Sequence, residues 1–226
     1  PRPWQSPHPP VWITALSPHS GRAIAERRHV AAALLSGGIA SGMFNAYRER
    51  AAEQGWAAPN DRFAYCALVG VGNTEEEGRR RADKVAGYVR TSPIVAEPFK
   101  NPPGYNPTPA NVAALKTGPT QSVARVQTKD GRTVDPTKAT VQEFMDARTV
   151  FAGTPDQVFE QIQTFNQEVG GFGNLIIMGQ GGTLSYDETR ANLQLFADEV
   201  MPRLGDLKMP ENPHGEQAER NASAAQ

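Results

Sequence analysis

Ser17 and Ser20 lie in a turn, Leu16–Ser17–Pro18–His19–Ser20–Gly21, where a strand-like run gives way to a helix-like one. The first turn of a helix presents backbone N–H groups without intrahelical partners and a partial positive charge. Hydroxyls beside those donors suit a phosphate. The same pattern also serves plain helix capping, which serine performs whether or not a ligand is near. His19 could touch that phosphate or act as a general base, or it could be an ordinary solvated loop histidine. Further along, Met178–Gly179–Gln180–Gly181–Gly182–Thr183 forms a flexible mouth after another apolar run. The Gln180 amide could hydrogen-bond a ligand carbonyl, and Gly181 would let a ring approach closely; equally, both could simply complete their loop. Ser36–Gly37–Gly38 and Gly70–Asn73 carry the same double reading.

Other chemistries are excluded by spacing. The four histidines have no metal-ligand pattern, and neither H-E-x-x-H nor C-x-x-C occurs. No dinucleotide fingerprint, phosphate P-loop or glycine-flanked nucleophile elbow is present. Cys66 is the single cysteine, so the chain cannot form an internal disulfide; its mid-strand position reads as packing. A net charge of −1 gives no electrostatic reason to expect nucleic acid or an anionic membrane as partner. No apolar stretch approaches the roughly 20 residues of a membrane span. A cytoplasmic protein is the default expectation.

The elements that must position these turns follow from pattern. Four apolar runs read as strands buried on both faces: Val11–Ala15, Val30–Leu35, Phe63–Val71 and Leu175–Met178. Helix starts follow at Thr74, at Thr154–Pro155 and at Ser185, each a hydroxyl with Glu or Gln three residues on. Val158, Ile162, Phe165 and Val169 recur at helical spacing, as do Leu193, Phe196, Val200 and Leu204. Strands alternating with helices predict a parallel α/β sheet whose working end lies at the strands' C-termini. Between Thr91 and Thr140 eight prolines punctuate a stretch with little periodicity, read as an excursion or lid (91–140). Residues 208–226 are polar and small, and read as a disordered tail. Four βα units cannot close a barrel of eight, and a chain opening on Pro1 is expected to be a fragment of a longer enzyme.

Taken together, several segments resemble the bacterial luciferase-like flavin monooxygenase family. They are Pro7–His8–Pro9–Pro10–Val11–Trp12–Ile13, Ser17–Pro18–His19–Ser20 with Ala23–Arg27, Phe151–Ala152–Gly153–Thr154–Pro155–Asp156–Gln157–Val158, Phe172–Gly179, and Glu199–Leu204. The resemblance implies that residues 1–207 are the last four βα units of a (β/α)8 TIM barrel. It also implies a two-component monooxygenase, in which a separate flavin reductase supplies reduced FMN that reacts with O2 to oxygenate an organic substrate. Carried onto this sequence, the FMN phosphate falls to Ser17 and Ser20. His19 departs from the family's usual residue there. Gln180 and Gly181 remain cofactor candidates, the catalytic residues are unassigned, and a homodimer is in keeping with the family. The other readings are an F420-dependent oxidoreductase on the same fold and a non-catalytic flavin-binding fragment.

Overall fold

A computed structural model describes residues 3–91, 126–127 and 131–224. Its organising element is β3, Phe63–Val71, whose nine residues are all buried. Parallel strands flank it: β2 (Val30–Leu34) is registered on Ala31↔Phe63, and β7 (Asn174–Met178) on Ala64↔Asn174. β1 (Trp12–Thr14) extends the sheet beyond β2 through Trp12↔Val30. The four expected strands therefore all form, all parallel, in the order β1-β2-β3-β7, with their C-termini at one end.

A fifth strand was not anticipated. β6, Val150–Gly153, pairs with Leu68–Val71. It takes over the edge of β3 that β2 vacates: Leu35 N–H donates to Cys66 O at 3.0 Å, and two residues on Leu68 N–H donates to Thr149 O at 3.0 Å. β3 thus runs five residues past its last β2 partner, an overhang of about 16 Å. Leu35 at φ 45° and Arg148 at φ 61° turn the two chains at the handover. The Tyr65 hydroxyl staples it, donating to Arg148 O at 2.7 Å and accepting from Gly37 N–H at 2.9 Å. The sequence shows Phe151–Val158 only as the opening of a helix, because four strand residues run directly into the Thr154 cap.

Helices cover both faces. Phe63, Tyr65, Ala67 and Val69 pack with residues of α1 (Pro18–Glu26), α2 (Ala40–Glu53) and α5 (Pro155–Glu168). Leu68, on the other face, packs with α3 (Glu75–Thr91) and α4 (Val141–Asp146), which sit over the overhang. Glycine makes that approach possible: a Cβ on Gly78 would collide with the backbone of Gly153. Val158, Ile162, Phe165 and Val169 are buried as their spacing requires. Of the second stripe, Phe196 and Val200 are buried while Leu193 is 38% exposed. The helix α6 (Tyr186–Leu195) passes into a π turn at Phe196–Val200 and a 3-10 turn at Met201–Asp206 around Pro202.

Two expectations change. Within 91–140 an antiparallel pair, β4 (Val126–Gln127) with β5 (Thr133–Val134), is formed; residues 92–125 and 128–130, including Phe99 and Tyr105, lie outside the described residues. The supposed disordered tail contains α7, Gly215–Ala224. It docks on α2: Asn221 Nδ2 donates to Ala52 O at 2.8 Å, His214 Nε2 bonds Asn45 Oδ1 at 3.1 Å, and Ala218 is buried. Small residues suit a close helix–helix contact here, so low hydrophobicity did not mean disorder. Among the described residues no helix is long and apolar enough to cross a membrane.

Candidate functional site

β1 ends at Thr14 and the chain enters α1 within four residues. Ser17 is the N-cap at φ −82°, ψ 148°, and Pro18 occupies the first helical position. Proline has no N–H to lose there and its ring presets the helical φ. Ser17 Oγ accepts from Ser20 N–H at 3.1 Å and lies 2.9 Å from Ser20 Oγ. Gly21 N–H goes to Ser17 O. The first turn therefore has one backbone donor left, His19 N–H, beside two hydroxyls that already face each other. Ser17 and His19 are exposed and Ser20 is partly so, leaving the turn open to a ligand.

The turn is held from below by helix contact. A Cβ on Gly21 would strike Met43 O, and Gly42 lies opposite Pro18, so α1 and α2 start side by side. Arg22 is bound to Glu49 at 3.1 Å and Glu53 at 2.7 Å, while Arg50 reaches Glu26 and Glu53. Hydrogen bonds from Arg22, then Arg50, hold the Glu53 carboxyl below its ordinary pKa. With Arg22 so engaged, an anion at the turn would rest on N–H and O–H donors and the helix dipole.

The second candidate group is separate. Gln180 is exposed, and Gly181 takes φ 125°. Gly182 at φ 59° lies directly on the Lys84 carbonyl, and Thr183 N–H points at the same oxygen. This loop is thus seated on α3. β1 and β7 are opposite edges of a four-strand row, about 14 Å apart at ordinary strand spacing, so Gln180 and Ser17 follow different strands at the same end of the sheet. Ser17, His19 and Ser20 come together; Gln180 and Gly181 do not join them.

Cys66 is buried in β3, and burial pushes its thiol up to about 11, an inert packing residue. A surface cleft of about 250 Å³, lined by Glu75, Arg148, Gln157, Gln161 and Thr164, lies along β6 and α5, away from both loops. Among the described residues no group of three His, Cys, Asp or Glu side chains could hold a metal.

Sequence reasoning missed the polar residues that finish the sheet. Asn192 Oδ1 accepts from Val71 N–H at 2.6 Å, and its Nδ2 donates to Val69 O at 3.0 Å and Gly179 O at 2.9 Å. It continues the β7 edge where that strand has ended. Gln161 does the same for β6 through both backbone groups of Ala152. Neither carries a sequence signal, since a polar residue on a helix normally faces water.

The family described as luciferase-like monooxygenase matches residues 1–171. No match is found among curated protein sequences. Among solved structures, a monooxygenase from Streptomyces bottropensis is 18% identical, covering 90% of this chain and 50% of its own, with a TM-score of 0.59. A type II Baeyer–Villiger monooxygenase, the oxygenating constituent of 3,6-diketocamphane monooxygenase from Pseudomonas putida, is solved in complex with FMN. It is 25% identical over 92% of this chain and 52% of its own, with a TM-score of 0.59. A coenzyme F420 dependent tetrahydromethanopterin reductase from Methanopyrus kandleri is 14% identical over 88% of this chain and 52% of its own, with a TM-score of 0.49. The chain spans about half the length of the solved structures it matches.

Proposed function

The chain belongs to the luciferase-like monooxygenase family, and on that premise we propose that it carries the FMN phosphate site of a two-component monooxygenase. The observation behind this reading is the Ser17–Ser20 turn. Two hydroxyls and the His19 N–H converge at the start of α1, exposed, at the C-terminal end of β1. That donor set fits a phosphate dianion. Bound FMN, reduced by a separate reductase, would supply the oxygen chemistry on an organic substrate. This chain's residues would do the holding: Ser17 Oγ and Ser20 Oγ donate to the phosphate, and the α1 dipole favours its charge. Gln180 and Gly181, across the same end, are proposed to meet the far part of the cofactor.

Titration with FMN and with riboflavin tests the phosphate role. FMN is expected to bind at least tenfold more tightly, since hydrogen bonds to a charged group contribute roughly 1.5–3 kcal/mol each. Ser17→Asp keeps the helix cap but places a carboxylate against the phosphate, and should abolish the preference while leaving the circular dichroism unchanged. Equal affinity for the two flavins, or an unaffected Ser17→Asp variant, would refute the assignment. The absorption spectrum of cofactor co-purifying with the chain distinguishes FMN from a deazaflavin.

A further inference from the structure

We propose that Lys84 of α3 is a positioning residue for the bound flavin, holding the Gln180–Gly181 mouth in place from a neighbouring helix. The inference rests on the flavin reading above and gives α3 a part in that site. It begins from how the loop after β7 is held. Gly179 O accepts from Asn192 Nδ2 at 2.9 Å, which ties the loop where the strand ends. Gly182, at φ 59°, lies so close on Lys84 O that a Cβ there would collide with it. Thr183 N–H donates to the same oxygen at 3.4 Å. At the far end of the loop Ser185 caps α6, and its N–H donates to Glu188 Oε2 at 3.0 Å. The Lys84 ammonium donates to both oxygens of that carboxylate, at 2.6 and 2.8 Å. Lys84 therefore grips the loop twice, with its carbonyl at Gly182 and with its side chain at the α6 cap.

What these ties leave free is narrow. Gln180 is exposed, and among the described residues nothing lies within 4 Å of where a Gly181 Cβ would stand. The two residues proposed to meet the cofactor are thus the open stretch of a loop fixed on both sides. Such a loop loses little freedom when a ligand arrives, and that raises affinity without any new contact. The bridge suits this role. The Lys84 and Glu188 side chains are 31% and 21% exposed, so salt screens the pair less than one on open surface. α3 is itself anchored elsewhere: Gly78 packs on the Gly153 backbone, and Ala82, Val85, Ala86 and Val89 are buried. The loop is therefore held against a fixed element.

Titration of the full chain with FMN and with riboflavin, well below the melting temperature, separates this role from that of Ser17. Lys84→Met should weaken both flavins by the same factor, about three- to tenfold, because the ring end they share loses its preorganised loop. The preference for FMN over riboflavin should survive, whereas Ser17→Asp abolishes it. Lys84→Arg keeps a donor for Glu188 and should restore most of both affinities. Gly182→Ala unseats the loop from its other anchor and should weaken both flavins alike; it serves if Lys84→Met proves poorly folded. Without ligand, amide hydrogen exchange in Lys84→Met should quicken at residues 180–185 and little elsewhere. Unchanged affinities in Lys84→Met and Gly182→Ala overturn the proposal and leave the phosphate site standing. So does a loss confined to FMN, a loss that Lys84→Arg fails to restore, or exchange at 180–185 that stays at its wild-type rate. A wild type that binds neither flavin refutes the cofactor reading itself, and this inference with it.

Discussion

Arg48 is 2% exposed, and among the described residues no carboxylate pairs with it. Burial alone pulls its guanidinium down to about 10. What holds it is a set of oxygen acceptors: Gly171 O at 2.6 Å, Asn60 Oδ1 at 3.3 Å and Val169 O at 3.5 Å, with the Phe63 ring 4.0 Å below. These acceptors lie on the turn between α5 and β7 and on the approach to β3, so one side chain joins three parts of the chain. The planar fork is what allows it; lysine is a point donor and cannot span them. Arg48→Met should cost about 3 kcal/mol, because buried carbonyls lose their donors. In a chain of this size that corresponds to a fall of roughly 6–12 °C in melting temperature. Arg48→Lys should recover little of it. Urea unfolding of the three proteins checks the claim, and a fully stable methionine variant would show that the acceptors find water. Nothing in the sequence marks this residue, because a lone arginine on a helix normally reads as solvated. By contrast, Ser17 was legible: its hydroxyl, the proline after it and the serine three residues on are a local pattern, and its geometry is local too.

At the level of elements, what the sequence displayed was what neighbouring residues decide among themselves. Capping boxes at Thr154 and Ser185 form as their spacing requires, and a box at Thr140 forms as well. β6 stayed hidden because its partner is the overhang of β3, more than 75 residues earlier, and no local pattern announces that. The ends of strands depend on residues of the same hidden kind. Asn192→Leu keeps the branched shape but leaves Val71 N–H, Val69 O and Gly179 O without this partner, so it should destabilise by roughly 2–4 kcal/mol. Chemical denaturation measures this, and the effect should exceed that of Thr154→Ala, where one cap is worth about 1 kcal/mol. A second tie joins α3 to the start of α6: Lys84 Nζ meets the Glu188 carboxylate at 2.6 and 2.8 Å. The Lys84 hydrogen bond, then the Ser185 N–H, hold that carboxyl down to about 2. A carboxylate with a depressed folded pKa contributes stability above its unfolded pKa and loses it as pH falls through the folded one. The contribution should therefore be full above about pH 4.5 and fade toward pH 2. Thermal melts of wild type and Glu188→Gln across that range should converge at the acid end. A difference that persists unchanged at pH 2 would rule the carboxylate out as its source.

On the scale of the whole molecule, the C-terminal segment returns to the first half of the chain. Composition argued for a loose tail, and composition is a statement about average burial, not about a particular docking surface. α7 buries little apolar area, yet its small residues allow backbone approach: Ala222 lies 3.2 Å from where a Cβ on Gly55 would stand. Polar bonds then fix it. Asn221 reaches Ala52 O, Asn212 reaches Ala58 O at 3.5 Å, and the chain leading in is held where Gln167 and Asn166 donate to Lys208 O. Contacts spanning more than 150 residues close the α2 side of the sheet with the last described helix. Such contacts are invisible to any local window, which is why the four-strand row was readable and this cover was not. Deleting residues 209–226 should therefore uncover α2 and lower stability by about 2–3 kcal/mol, from the buried alanine faces and the freed carbonyls together. Trypsin offers an independent reading through Arg220. In an undocked tail it would be cut at once, whereas in a docked helix cleavage must wait for local opening. The intact chain should lose its last residues slowly under conditions where Asn221→Leu, which cannot reach Ala52 O, loses them fast. If deletion leaves the urea midpoint unmoved and Arg220 is cleaved immediately in the wild type, the helix does not hold its place on α2.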